Sequence, residues 1–214
     1  MTKDPYRHAD VALYALFAMM SREFQNLGSV LRTDMSEAEV RQLVKAMYKR
    51  MGSRVEHDYR AVAERVRADT EKELEVQQKK RWAVGAFLLA ILRAYDPVTK
   101  YVFTAEWGRK RERLIEGLMA SEGSKQQIRA ELKRGLDVLS LQVRQYADNV
   151  TDMTRLEVFR IAGVPEVRWN TQHDEKVCAI CAERDQEIYE IDSIPEKHYR
   201  CRCYLTAVGK REEI

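Results

Sequence analysis

A mostly α-helical, elongated protein ending in a small α+β module is the architecture this sequence predicts. Three observations point there. Charged residues make up 33% of the 214, while Gly and Pro number 9 and 4, a composition that suits long helices and argues against an all-β or disordered chain. Apolar residues recur at steps of four and three through most of the first 162 positions. Past Pro165 the period falls to two, and all four cysteines lie in that last part. The chain is therefore divided into a helical region, 1–162, like a bundle or coiled coil, and a small terminal module, 163–214.

The first helix is expected from about Asp4 to Leu31, with Leu13, Phe17, Met20, Phe24, Leu27 and Leu31 as its stripe. Ser36 followed by Glu39 is a capping box that opens a second helix. Val40, Val44, Met47, Met51, Val55, Tyr59, Val62 and Val66 mark its buried face. Past Thr70 the stripe fades. One long helix to Ala94 and a break near Gln77–Arg81 are equally compatible with the pattern. Asp96–Pro97 reads as a restart, with Asp as N-cap and Pro at the first helical position, running to about Ala120 and stopping at Gly123. Ser124 with Gln127 caps the next helix. Its stripe is the most regular: Ile128, Leu132, Leu136, Leu139, Val143, Tyr146, Val150 and Met153. Gly163 and Pro165 end it.

Charge is unevenly spread. Residues 1–162 carry 29 Lys+Arg against 23 Asp+Glu, a balance of +6, and residues 163–214 carry 8 against 11, a balance of −3. A basic helical part can face nucleic acid, or be an ordinary solvated surface. The runs Arg109–Arg113 and Lys79–Arg81 lack interleaved aromatics and a groove-reading motif, which argues against a sequence-specific reader. His8 and His57 stand among polar residues and read as solvated. The start is polar and without a secretory leader, and the longest apolar run, Trp82–Leu92, is too short to cross a bilayer. No membrane partner and a reducing cytoplasm are expected, where clustered cysteines bind metal more often than they form disulfides.

Three short strands are expected in the module: Val167–Thr171, Ile188–Ile191 and Tyr199–Val208. So few residues bury too little apolar surface to stand alone, so a staple is expected. Cys178-x-x-Cys181 has knuckle spacing, and His198-x-x-Cys201 repeats it. In a strand Cys201 and Cys203 face the same side, so Cys203 competes with His198 for the fourth place. Cys178, Cys181 and Cys201 are the firm ligands; His198 and Cys203 stay open as the fourth, with a lean to His198. Soft donors select Zn²⁺ over calcium or magnesium, and four protein ligands leave no position for water, so the ion is structural. A redox CxxC belongs beside a βαβ pattern, which is absent. A metal-dependent hydrolase needs an open coordination site and a carboxylate base. No catalytic residue and no small-molecule substrate are expected. Trp169 and Tyr204 are expected to pack against the knuckles, and Arg202 and Asp174 are candidates for an ion pair or cap.

Trp169-x-Thr171, Asp174, Val177, Cys178-x-x-Cys181, Pro195, His198 and Cys201-Arg202-Cys203, with Thr154-Arg155-x-Glu157 upstream, together resemble the C-terminal signature of the phage Mu F-like head morphogenesis family, the minor head or minor capsid proteins. The resemblance covers about residues 150–208. It implies a low-copy virion component made in the bacterial host cytoplasm and placed beside the portal during head assembly. It also implies portal or capsid proteins as partners and non-specific contact with packaged DNA. Where the family tends to have Asp-Gly after the CxxC, this chain has Asp185-Gln186, so the turn is expected to differ. Six residues follow Val208, so no appended enzyme domain is expected. The competing function is a zinc-ribbon nucleic-acid-binding module, favoured by the +6 helical part and opposed by the −3 of the module itself.

Overall fold

The computed structural model describes residues 4–74, 107–198 and 201–208. Its long helices are α1 (Arg7–Val30), α2 (Glu37–Glu73), α3 (Trp107–Ala120) and α4 (Lys125–Ile161). They are followed by β1 (Glu166–Asn170), a one-turn helix α5 (Ala179–Glu183), β2 (Ile188–Glu190) and β3 (Tyr204–Val208). The molecule is thus mostly helical, with a small antiparallel sheet near its C-terminal end.

The caps form where the sequence places them. Ser36 accepts the Glu39 N–H, and the Glu39 carboxylate takes the Ser36 N–H at 2.8 Å. Ser124 receives the Gln127 N–H at 3.5 Å and opens α4. Helix α4 ends in a Schellman turn: Gly163, at φ 69°, donates to the Arg160 carbonyl and Val164 to that of Phe159. The expected break near Gln77–Arg81 and the restart at Asp96–Pro97 lie outside the described residues.

The long helices fold back on one another. Helices α2 and α4 have 37 residues each, about 55 Å of rod at 1.5 Å per residue. They run parallel, because Tyr59 donates to the Val143 carbonyl and Glu73 pairs with Arg155. Helix α1 runs antiparallel to both, with Glu23 against Arg50, Asp69 against Arg7, and Asp152 against Tyr6. Helix α3 packs across α2, where the Trp107 ring meets Tyr48 edge-on at 5.8 Å.

All eight residues of the expected α2 face are buried. On α1 the stripe is wider than expected: Ala9 and Leu16 are buried too, because two neighbouring helices flank it. Phe17 and Leu31 are only half-buried, and Phe17 lies under the Arg144 guanidinium at 5.6 Å. On α4, Ile128, Leu136 and Met153 are likewise half-buried. His57 is exposed, as expected, but His8 is not simply solvated. It is half-buried, with Nε2 2.6 Å from the Asp69 carboxylate that also holds Arg7.

In the sheet the strand order is β2-β1-β3, all antiparallel. Val167 faces Tyr189 and Ala207, and Trp169 faces Leu205. Val167, Trp169 and Leu205 point into a core that continues without a break into the helices. Two polar connections fasten the sheet to the bundle. Arg155 of α4, buried to 7% exposure, pairs with Glu73 at 3.0 Å and donates to the Leu205 carbonyl at 3.3 Å. Its aliphatic and guanidinium parts cover Phe159. In the second, the Tyr6 hydroxyl lies 2.7 Å from Asp152 Oδ1 and 2.8 Å from the Cys203 carbonyl. Lys197 Nζ reaches the same carbonyl and lies 2.6 Å from Asp152 Oδ2.

Removing the Arg155 guanidinium leaves Glu73 and the Leu205 carbonyl without it. Arg155→Ala is expected to cost about 3 kcal/mol, the range for breaking a buried pair. Urea unfolding measured on the full chain checks it, and a loss under about 0.5 kcal/mol would show the pair to be dispensable.

One turn before Asp152, the Asp148 carboxyl is raised to about 7, first by burial and then by the negative charge of Asp152. Between about pH 4, where an unfolded Asp loses its proton, and 7, the folded chain keeps a proton that the unfolded chain has released. Rising pH across that window therefore favours unfolding. Asp148→Asn is expected to stabilise the protein above pH 7, with the gain vanishing below pH 4. Melting temperatures of parent and variant between pH 4 and 8 check the sign.

Candidate metal centre

Cys178 is the N-cap residue of α5, and Cys181 sits inside that turn. The turn is closed by the Ala182 N–H on the Cys178 carbonyl at 2.9 Å, which brings both thiols to one side. A second turn, closed by the Cys201 N–H on the His198 carbonyl at 3.1 Å, sets His198 beside Cys201. Cys201 and Cys203 are buried and Arg202 between them is exposed. The alternation expected of a strand is thus present, although β3 begins only at Tyr204.

These five side chains line one small cavity as two groups of three that share Cys181. His198 Nε2 lies 3.2 Å from the Cys178 sulfur and 3.1 Å from that of Cys181. The Cys181 and Cys201 sulfurs are 3.7 Å apart. Donor atoms of Cys178, Cys181 and His198 lie within 4.8 Å of one another, as do those of Cys181, Cys201 and Cys203. Cys181 belongs to both groups. The cavity that they line, with Gln172, Lys176, Val177 and Arg202, has a volume of about 20 Å³.

The donor set fits a metal ion. Bonds of about 2.0–2.3 Å to four tetrahedral ligands set ligand–ligand separations of about 3.5–3.8 Å, and the observed contacts stand close to that range. The cavity is large enough for one atom-sized sphere and too small for a substrate. All four cysteines are free thiols, and 3.7 Å between Cys181 and Cys201 is far longer than the bond of about 2.05 Å in a disulfide.

The thiols differ in acidity. Burial pushes Cys181 up to about 12. The Cys201 thiol is lowered to about 5, first by its hydrogen bond from Cys203 and also by the Lys197 charge. Cys203, the donor in that bond, is raised and keeps its proton. Cys178 is lowered, chiefly by the backbone N–H of Cys181. The cluster therefore holds a thiolate and a proton donor side by side, and a bound cation would favour the thiolate form of each ligand.

The surroundings fix the loops that carry the ligands. Arg202 pairs with Asp174, which also takes the Lys176 N–H at 3.0 Å, so the expected partnership is an ion pair with a turn cap. The Arg202 guanidinium holds the Asp174 carboxyl below the usual range. Asp185 Oδ1 accepts the Thr171 N–H at 2.8 Å. Gln186 takes the left-handed backbone after all, with φ 68°, and its N–H donates to the Trp169 carbonyl at 2.8 Å. The missing glycine has not removed that conformation; a non-Gly residue there costs about 1 kcal/mol. Trp169 is fully buried, with Arg184 at 5.3 Å and Lys197 at 6.0 Å from its ring centre. Tyr204 is only half-buried, being on the other face of its strand from Cys203 and Leu205.

Three residues that pattern reading did not single out hold the second knuckle in place: Tyr6, Asp152 and Lys197. Only Lys197 carried a local signal, as the cation next to His198. No family model, curated protein or solved structure matches the chain, so its likeness to the head morphogenesis signature rests on the residues themselves.

Proposed function

We propose that this chain is a structural protein of a tailed-phage or prophage head, a minor head protein whose terminal module is stapled by one Zn²⁺. The observation that carries the reading is a convergence. The ordered signature residues Trp169, Thr171, Asp174, Cys178, Cys181, His198, Cys201 and Arg202 all fall in one unit around an ion-sized cavity. Arg155 from the upstream part of the signature is bonded into the outer strand of that unit.

Cys178, Cys181, Cys201 and His198 would hold the ion, with His198 favoured because its nitrogen touches both knuckle sulfurs. Cys203 then stands beside the ligand shell as a hydrogen-bond donor to Cys201. Four protein ligands give a closed site, so the ion shapes the chain and does no chemistry. The helical bundle supplies the surface for portal or capsid proteins, and its +6 balance suits non-specific contact with packaged DNA. The working place of the protein is the virion; among the described residues no helix is long and apolar enough to cross a membrane.

Metal analysis of purified full-length protein tests the ligand set. One zinc per chain is expected, lost in Cys178→Ser and His198→Ala and kept in Cys203→Ser. Equal retention in the last two variants would overturn the choice of fourth ligand.

Purified heads test the role. The chain is expected in them at low copy number, and Cys178→Ser is expected to be depleted from heads although its helices still form. Absence of the parent chain from heads, together with DNA binding that falls steeply with salt, would instead favour the nucleic-acid-binding module.

A further inference from the structure

Far from the metal centre, α1 and α4 part to form a cleft of about 710 Å³. It lies near Gly28, 22 residues along α1 from Tyr6, or roughly 33 Å away at 1.5 Å per residue. Its floor is apolar: Phe24 and Leu31 from α1, Ile128, Leu132 and Leu136 from α4. Gly28 allows the close approach there, since a Cβ on it would lie 3.0 Å from the Leu132 side chain.

The two rims differ in charge. On α1 the rim is Ser21, Gln25 and Ser29, all uncharged; on α4 it is Lys125, Arg129 and Lys133. Both rims repeat every four residues, so each runs along its helix for about 12 Å. No carboxylate lines the cleft, and the three cations, all exposed, have no ion-pair partner among the described residues. Elsewhere on the bundle arginines do find carboxylates, as Arg50 does Glu23 and Arg54 does Asp58.

We infer that this cleft is a docking groove for an amphipathic helix of another protein, with an apolar face for the floor and a row of Asp or Glu along one flank. A volume of this size takes several large side chains of such a helix. Acids spaced four apart on it would meet Lys125, Arg129 and Lys133 in register. Charge argues against two other occupants. Residues 75–106 of this chain carry five Lys+Arg against three Asp+Glu, so their balance of +2 does not complement the rim. A second copy docked cleft to cleft would bring no carboxylate to the basic rim, since none lines the cleft. The inference is independent of the metal and of the role in phage heads.

The probe is a fluorescein-labelled synthetic helix of about 18 residues, with leucines on one face and glutamates on one flank. A matched peptide carries lysines in place of the glutamates. Anisotropy on the full-length protein is expected to show the Glu peptide binding at least about tenfold tighter than the Lys peptide, with the preference weakening in salt. The triple variant Lys125→Glu, Arg129→Glu, Lys133→Glu changes exposed residues only, and circular dichroism checks its fold. It is expected to reverse the preference. Equal binding of both peptides, or an unchanged preference in the triple variant, would overturn the proposal. So would Glu-peptide binding that emerges only when Leu88, Leu89, Ile91 and Leu92 are changed to Ser, which would make residues 75–106 the occupant. A dimer in sedimentation that the triple variant dissociates, with no peptide bound, would overturn it in favour of a second copy.

Discussion

The carbonyl of Cys203 is where the parts of this protein are tied together. It accepts from the Tyr6 hydroxyl, at the start of α1, and from the Lys197 ammonium, one residue before His198. Behind both stands Asp152 of α4, whose Oδ1 shares the single Tyr6 proton with that carbonyl and whose Oδ2 accepts from Lys197. The ammonium and the carboxylate are both half-buried, and each is paired and hydrogen-bonded, which offsets the cost of their partial desolvation. The consequence is geometric. Lys197 fixes the backbone that presents His198, and the Cys203 carbonyl fixes the backbone that presents Cys201. The His198–Cys201 turn is therefore positioned by the helical bundle, not by the sheet alone. Burial shows in the chemistry of the group: the Tyr6 hydroxyl is a much weaker acid than an ordinary tyrosine, its pKa raised first by desolvation and then by Asp152.

This arrangement explains how so small a terminal sheet can be ordered. A short strand such as β2, three residues long, contributes little by itself. What the sheet has instead is a shared core and two kinds of fastening. Val167 and Trp169 are fully buried in the same cluster as Phe159 and Val158 of α4. Arg155 holds the outer strand through Leu205. The Cys/His cluster draws the loops after β1 and after β2 to one point. These fastenings act on different segments, so none duplicates another.

The parts of this that could be read in the sequence are those that depend on local repetition. A helix repeats its buried face every three or four residues, so the α2 face from Val40 to Val66 was legible in full. A knuckle needs its donors within a few residues, so Cys178, Cys181, His198, Cys201 and Cys203 were legible as a cluster. Faces shared between two partners were read too narrowly: Ala9 and Leu16 join the α1 stripe only because α2 and α4 both pack on that helix. The Tyr6–Cys203 contact spans 197 residues and the Tyr6–Asp152 contact 146. Nothing periodic connects those positions, and a Tyr, an Asp and a Lys each look like ordinary surface residues until the chain is folded. Gln186 is a case of a different kind. Its left-handed backbone is unfavourable locally, but two ends of the loop are already fixed, by Asp185 on the Thr171 N–H and by the Gln186 N–H on the Trp169 carbonyl. Tertiary constraint outweighs the local preference.

The same constraint separates the roles of the two ends of the molecule. At the sheet end the principal cations are paired, and the ion pairs hold the segments in a single arrangement, while the buried Trp169 Nε1 and Arg155 Nε have no hydrogen-bond partner among the described residues. Arg202 is satisfied by Asp174, Arg155 by Glu73, Lys197 by Asp152. At the cleft end, three cations stand in a row without carboxylate partners among the described residues, over an apolar floor, with a glycine where a larger residue would press on Leu132. A surface that served only to stay solvated would gain from opposite charges at four-residue spacing, as Arg54–Asp58 and Arg60–Glu56 do on α2. Leaving like charges at 125, 129 and 133 instead costs a little stability by mutual repulsion. That cost is offset when a partner brings the missing carboxylates, whereas Arg155, Lys197 and Arg202 at the other end already have theirs within the chain.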